Sequence, residues 1–413
     1  MLHTTIAPWP SFTQEEAEAV SRVILSNRVN YWTGQECREF EKEFAEWTGA
    51  RHAVALANGT VALDVALRAL EVQPGDEVIV TPRTFIASAS AVVLSGARPV
   101  FADVHPVSGN ITADTIRAVM TERTRGIICV HLAGQPCDMD PIMELARAGG
   151  LFVIEDCAQA HGARYKGRSV GTIGDVGAWS FCQDKIMSTG GEGGMVTTNR
   201  EDLWRTMWSL KDHGKDWSAV YERSHPPGFR WLHERFGHNW RMMETQAAIG
   251  RIQLRRMGEW TARRASNAAR LASALSPFAG TDGIVYPPTG RCSICADCSG
   301  ASAGCVHAWY KFYFQVRPEV LGPGWSRDRI AQEMASRGIP CLQGSCSEVY
   351  LEKAFAGTGL RPPAPLPVAR RLGETSLMML VHPTLTVDDM KRSAAALAEV
   401  LSLAMADRKR SAA

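Results

Sequence analysis

The chain has 413 residues, 45% of them hydrophobic and 21% charged, proportions that exclude extended disorder and suit a globular protein of two domains. Its formal net charge of +2 arises from Lys, Arg, Asp and Glu mixed from end to end, which argues against nucleic acid as a partner. No apolar run reaches the roughly 18 residues that a membrane span requires, and the opening MLHTTIAPWPSF lacks the basic-then-apolar plan of a secretion signal, so a cytoplasmic location is expected. The 11 cysteines would then stay reduced, and those in apolar runs, Cys129, Cys157 and Cys182 among them, read as small hydrophobes.

The first predicted helix covers Thr13 to Ser26, with Ala17, Val20, Val23 and Ile24 apolar and acids in its first turn. A second covers Glu36 to Trp47, with Phe40, Phe44 and Trp47 on one stripe. His52 to Ala57 then reads as a buried strand, Asn58-Gly59 as a tight turn, and Thr60 to Leu70 as a helix. A strand that feeds a helix through glycine leaves free amides at a helix N-terminus, so Gly59 and Thr60 are candidates for holding a phosphate; an ordinary strand-to-helix turn has the same pattern. From there strand and helix alternate: DEVIVTP, a helix from Phe85 to Leu94, ARPVFADV, a helix from Ala113 to Met120, RGIICVHL, and a helix from Pro141 to Ala148. Such a run of βαβ units predicts a mainly parallel sheet covered on both faces, with its site at the carboxyl ends of the strands.

The next strand, LFVIEDCAQAHGA, ends on two acids, Glu155 and Asp156, only one of which can face the site because successive strand residues point to opposite sides. A carboxylate at that position needs a cation, such as a protonated pyridine nitrogen, and Asp156, with Gln159 and His161 close behind, is the better placed of the two; a structural carboxylate capping the next turn is the plainer reading. In WSFCQDKIMSTGGEGGMVTTN a strand, a sharp loop and a second strand follow one another, with Lys185 on the loop, Ser180 five residues before it, and Gly190, Gly191, Gly193 and Gly194 behind it. A lysine held there suits Schiff-base chemistry, with a neighbouring hydroxyl for a phosphate, although a solvated lysine beside a hairpin would look the same.

Taken together, ANGTVAL, TPRTFIASA, VHLAGQPCDMD, VIEDCAQAHGA, SFCQDK, STGGEGG and HNWRMMETQAAIGRIQL resemble, in order and spacing, the DegT/DnrJ/EryC1/StrS aminotransferases over about Trp9 to His382. That resemblance implies a pyridoxal 5'-phosphate enzyme of the aspartate-aminotransferase fold (fold type I, α/β), with a large domain holding the cofactor on a mixed, mostly parallel sheet and a smaller C-terminal α/β domain. It makes Lys185 the Schiff-base lysine and Asp156 the partner of the pyridine nitrogen. Gln159 would lie near the phenolic oxygen, Phe85 would stack on the ring, and Gly59, Thr60 and Ser180 would bind the phosphate. Asn239 would reach the phosphate of a neighbouring subunit, which implies a homodimer with shared sites. The expected reaction moves an amino group from L-glutamate (or glutamine) to a nucleotide-linked keto-sugar in amino-sugar or polysaccharide biosynthesis. The same chemistry on a keto-cyclitol or other unactivated ketone, and a pyridoxal-phosphate-binding regulator without turnover, are the alternatives. Lys185 argues against the relatives that carry histidine there and remove a hydroxyl group.

The expected domains are residues 1–255 and 256–405, with a Cys-containing insertion at 291–306 and a charged, fraying tail at 406–413. In the insertion, Cys292, Cys295, Cys298 and Cys305 have partly zinc-like spacing with His307 behind them, but small residues dominate and the expectation is a loop with no metal. The following HAWYKFYFQV resembles the family's strand near the substrate, so His307 and Tyr310 are candidates to touch the sugar. Ile339 to Phe355, IPCLQGSCSEVYLEKAF, departs from members that aminate 6-deoxy sugars.

Overall fold

The computed structural model of the chain describes residues 6–280, 283–286 and 304–412. Two amphipathic helices, α1 (Gln14–Leu25) and α2 (Glu36–Thr48), precede the alternating region. There β1 (His52–Leu56), α3 (Gly59–Ala69), β2 (Glu77–Val80), α4 (Ala87–Leu94), β3 (Arg98–Phe101), α5 (Ala113–Arg117), β4 (Thr124–Val130), α6 (Met139–Gly149) and β5 (Phe152–Asp156) follow in turn. A short hairpin, β6 (Arg164–Tyr165) and β7 (Arg168–Ser169), leads to β8 (Val176–Ser180) and β9 (Gly194–Thr198), then to α7 (Glu201–Lys211) and α8 (Trp217–Tyr221).

Seven of these strands form one sheet in the order β1-β9-β8-β5-β4-β2-β3. β2, β3, β4, β5 and β8 pair in parallel, while β9 runs against both β8 and β1. The apolar runs of β4 and β5 alternate between two cores, as strands buried on both faces must. Ile128 and Ile154 point to one side with α3, α4 and α7, and Ile127, Cys129 and Val153 point to the other with α5 and α6. On that second side, α2 packs Phe40 and Phe44 against Trp179 and Phe181.

The long α9 (Glu244–Leu275) leads to a second, antiparallel sheet, ordered β10 (Val285–Tyr286), β11 (Phe312–Val316), β13 (Ser376–Met379) and β12 (Cys341–Leu342). Leu271 and Leu275 of α9 pack against it together with α10 (Arg327–Ser336) and α12 (Val387–Ala412), while α11 (Pro367–Thr375) precedes β13. The architecture is α/β, as expected.

Several boundaries move. α3 starts one residue early, because Asn58 is its cap and accepts the Val61 amide at 3.0 Å. α4 starts at Ala87, which leaves Phe85 in a loop, and α5 stops at Arg117, short of Met120. Backbone helix continues through the 406–412 segment expected to fray: Ala, Asp, Arg and Lys offer no helix breaker, and charge alone does not end a helix. The 255/256 boundary falls inside α9, which runs through it unbroken. Cys37, Cys129, Cys137, Cys157 and Cys341 are buried, whereas Cys182 is half-buried on a loop and not in an apolar run. Cys292, Cys295 and Cys298 lie outside the described residues.

Candidate active site

The carboxyl ends of β5, β8, β1 and β2 converge on one region, and the antiparallel return from β8 to β9 sets the lysine loop beside it. The Lys185 amide donates to the Cys182 carbonyl at 3.1 Å, and the Lys185 carbonyl accepts from Trp9 Nε1 at 2.7 Å. Further along, the Ser188 amide donates to Gln253 Oε1 of α9 at 2.8 Å, and Gly190 and Gly191 take φ of +86° and +116°, a turn that side-chain-bearing residues resist. The loop is thus fixed at both ends. Its lysine is 17% exposed, with Nζ at 3.2 Å from Asp184 Oδ1 and 5.5 Å from the centre of the Tyr310 ring. The Tyr310 hydroxyl donates to the other oxygen of Asp184. Burial would raise the Asp184 carboxyl, but the Lys185 charge and the Tyr310 hydrogen bond outweigh it and hold Asp184 below the usual carboxylate range.

At the end of β5 the two acids separate as alternation requires. Glu155 faces away from Lys185, with Oε2 at 3.0 Å from His131 Nε2 and with the amides of Gly171, Ile173 and Gly174 donating to its two oxygens at 2.7–2.9 Å. Burial raises it, but His131 and those amides win and keep it below its ordinary value. Because the Cys137 amide occupies His131 Nδ1 at 3.0 Å, Nε2 carries the proton toward Glu155. Glu155, His131 and Cys157 place ligand-type atoms near one another, and these contacts account for the acid and the imidazole without an ion.

Asp156 is buried with different company. Ser88 donates to its Oδ2 at 2.8 Å, the Ala158 amide to its Oδ1 at 3.1 Å, and Thr84 lies 2.8 Å behind Ser88. Burial pushes its carboxyl above the ordinary value, opposed by Ser88, Ala158 and the charge of Lys185. A buried acid in that condition gains most from a cation placed against it.

Gly59 meets Ser180 across the sheet. A Cβ on Gly59 would lie 2.5 Å from the Ser180 Cβ, so the absent side chain keeps the hydroxyl open. With Asn58 taking the Val61 amide, the helix leaves the Gly59 and Thr60 amides for an anion. Gln159 is buried and accepts the Ala133 amide at 2.7 Å. Phe85 is 70% exposed on the loop that carries Thr84, and no contact joins its ring to the other candidates among the described residues. Asn239 is exposed, in a bridge with Asp212, next to Trp240, whose carbonyl accepts the Ala57 amide at 2.9 Å. His307 stacks on Trp309 at 3.9 Å and its Nδ1 accepts the Trp309 amide, so that nitrogen is engaged within the protein.

Geometry therefore gathers Lys185 with Tyr310, Gly59 with Ser180, and Asp156 with the flank of Lys185, while Phe85 and Asn239 stand at the surface. Sequence reasoning missed Asp184, Ser88, Thr84 and Trp9. Asp184 was legible as the acid beside the lysine in QDK; the Trp9 contact spans 176 residues and has no local signal.

The sequence profile described as the DegT/DnrJ/EryC1/StrS aminotransferase family matches residues 10–398. The chain belongs to that family. Among solved structures it is similar to the aminotransferase from Psychrobacter cryohalolentis, with 61% identity, a TM-score of 0.94, and 97% of this chain and 99% of that one covered. It is 35% identical to the dTDP-3-amino-3,4,6-trideoxy-alpha-D-glucose transaminase of Streptomyces venezuelae over 92% of this chain and 90% of that protein. A GDP-perosamine synthase from Caulobacter vibrioides is 48% identical over 226 residues, which span 55% of this chain and 58% of that protein. Relatives of this kind are sugar aminotransferases, and the fold is the aminotransferase α/β fold. Among the described residues, no helix is long and apolar enough to cross a membrane.

Proposed function

We propose that the chain transfers an amino group from L-glutamate to a keto-sugar linked to a nucleotide, using pyridoxal 5'-phosphate. The observation that carries this reading is the buried Asp156, raised by desolvation and close enough to Lys185 to feel its charge, beside an open Gly59–Ser180 cradle. Those residues fit the cofactor: Gly59, Thr60 and Ser180 for the phosphate, Asp156 for the ring nitrogen, Gln159 for the phenolic edge and Lys185 for the aldehyde; Phe85, 70% exposed, would have to turn inward to cover the ring face. When bound, the cofactor supplies an electron sink for the pair left by a departing α-proton.

The protein's own groups do the rest. Asp156 would hold a proton on the ring nitrogen, and Ser88 and Thr84 fix the carboxylate's orientation. Lys185 would be the base that takes the α-proton from the amino donor and returns it two bonds away, across the nitrogen, to the cofactor's aldehyde carbon, and would run the same transfer in reverse for the ketone. Asp184, held by Tyr310, keeps the amine in place between those steps. Tyr310 is accordingly a positioning residue, and His307, which lines the neighbouring cleft, is the residue we assign to the sugar.

A homodimer is the assembly we infer, with Asn239 offered to a second copy. The neighbouring Trp231 and Phe236 are 83% and 100% exposed, as unpartnered interface aromatics would be. Light scattering tests the assembly.

The test of function is an absorption spectrum of the purified protein before and after L-glutamate, for the wild type and Lys185→Ala. A visible-edge band that glutamate removes in the wild type, and that the variant cannot cycle, supports the reading. A band indifferent to every amino donor would favour the regulator instead.

A further inference from the structure

The loop after β2 carries a charge that the reaction above does not use. Arg83 is 3% exposed, on the residue before Thr84. Its Nη1 meets Ser347 Oγ at 3.3 Å and Ser376 Oγ at 3.4 Å, its Nη2 meets Ser376 Oγ at 3.4 Å, and its Nε has no partner among the described residues. Burial draws its pKa down, and among the described residues the groups that oppose the shift are the Tyr313 phenol and the Cys346 thiol, with no carboxylate among them. A guanidinium taken out of water with three long contacts to two hydroxyls is left under-compensated.

That guanidinium lines a cleft of about 490 Å³ between the two sheets. Its described walls include a second cation, Arg371, and aromatic faces from Trp309 and Tyr313, but no Asp or Glu. Gly109, at φ +70°, stands where a Cβ would come within 3.4 Å of the Arg83 Nε, so a side chain there would crowd that buried edge. Ser347, one of the two hydroxyls that steady the fork, comes from the 339–355 segment in which the sequence departs from the family pattern. The cleft also adjoins the reacting groups: Ala133 lines it while donating its amide to Gln159, and Trp309 lines it next to Tyr310.

We propose that this cleft is an oxyanion subsite, in which the Nε and Nη2 edge of Arg83 receives a carboxylate or phosphoryl group carried by one of the substrates. A planar fork with one free edge is the donor geometry that a two-oxygen anion matches. The assignment rests on the transaminase reading for the identity of the ligand, and the test below separates the two.

Cofactor-loaded wild type, Arg83→Met and Arg83→Lys are compared with three probes: L-glutamate, by the spectral half-reaction; and uridine-diphosphate glucose and uridine-diphosphate glucuronate, by calorimetry. With the cofactor bound, its own phosphate site is filled and cannot mimic the effect. Arg83→Met is expected to melt no lower than wild type, since it removes an under-paired buried charge, and to lose at least tenfold affinity for one class of probe, with Arg83→Lys recovering part of it. A loss confined to glutamate identifies the donor's carboxylate. An equal loss for both nucleotide sugars identifies the diphosphate, and a loss for the glucuronate alone identifies a sugar carboxylate. Binding of every probe within twofold of wild type, or a loss that lysine does not recover at all, overturns the proposal. Failure of the wild type to respond to glutamate would count against the transaminase reading alone, because sugar binding is measured without turnover.

Discussion

Trp9 Nε1 donates a hydrogen bond to the backbone carbonyl of Lys185 at 2.7 Å, so a residue from the start of the described chain holds the lysine loop. The indole is itself fixed, edge-on to Trp260 at 5.1 Å and stacked with His382 at 6.0 Å, with the Arg264 guanidinium 5.2 Å from its ring. Trp9→Phe keeps most of the packing and removes the donor. It should cost about 1 kcal/mol of stability, read by urea unfolding, and slow the glutamate half-reaction by about 3- to 10-fold because the amine is less well positioned. A wild-type rate would show that the loop holds its lysine without this clamp.

The Thr84–Ser88–Asp156 relay predicts a graded series. Asp156→Asn leaves the ring nitrogen without an anion and should lower turnover by at least about 100-fold. Ser88→Ala removes one hydrogen bond to the same carboxylate, and a loss of about 10-fold is expected, matching roughly 1.4 kcal/mol. Steady-state rates with cofactor in excess check both. Equal losses in the two variants would contradict the order of roles.

Glu155 should behave in the opposite way, as a structural group. Gln there keeps the shape but sets an NH2 against two of the donors, from His131 and three amides, that now meet carboxylate oxygens, at about 1–3 kcal/mol for each donor left unpaired. Denaturant titration should register that cost, while the folded fraction of Glu155→Gln keeps a near-normal rate. A selective loss of activity at unchanged stability would move Glu155 into the catalytic machinery.

Acid should unfold the protein through its buried imidazoles. His161, His307 and His382 are each lowered from 6.5 to about 3, chiefly by burial, with Lys185 and Arg264 adding to it at His161 and Arg264 and Lys311 at His382. Between those values the unfolded chain binds protons that the folded chain does not, so stability is full above about pH 6.5 and falls as pH drops toward 3. His161→Phe, which keeps the contacts with Trp179 and Phe181, should flatten that decline. Melting temperature against pH for the two proteins is the measurement.

Much of this was legible in the residues because the signals were local. The βαβ run announced a parallel sheet through unbroken apolar stretches such as Ile127 to Val130, and alternation alone predicted that Glu155 and Asp156 would part company. Lys185 stood out as the lone amine on a glycine-rich return. What stayed hidden depended on contacts distant in sequence: the Trp9 clamp, the Ser88 support of Asp156, and the Arg83 environment, assembled from Ser347 and Ser376 more than 260 residues away. Helix starts were missed where a side chain does the capping, as Asn58 does for α3. The tail misled because charge was taken as an end to helix.

The continuity of α9 bears on how the molecule could be divided. Near its start Gln253 braces the lysine loop and bonds Glu16 at 2.9 Å, while further along Asn267 donates to the carbonyls of Val381 and His382, and Leu271 and Leu275 enter the core of the second sheet. Its 32 residues, about 48 Å of unbroken helix, make one beam that both halves are bolted to. A cut at residue 255 would fall within that beam and strip a wall from each half at once.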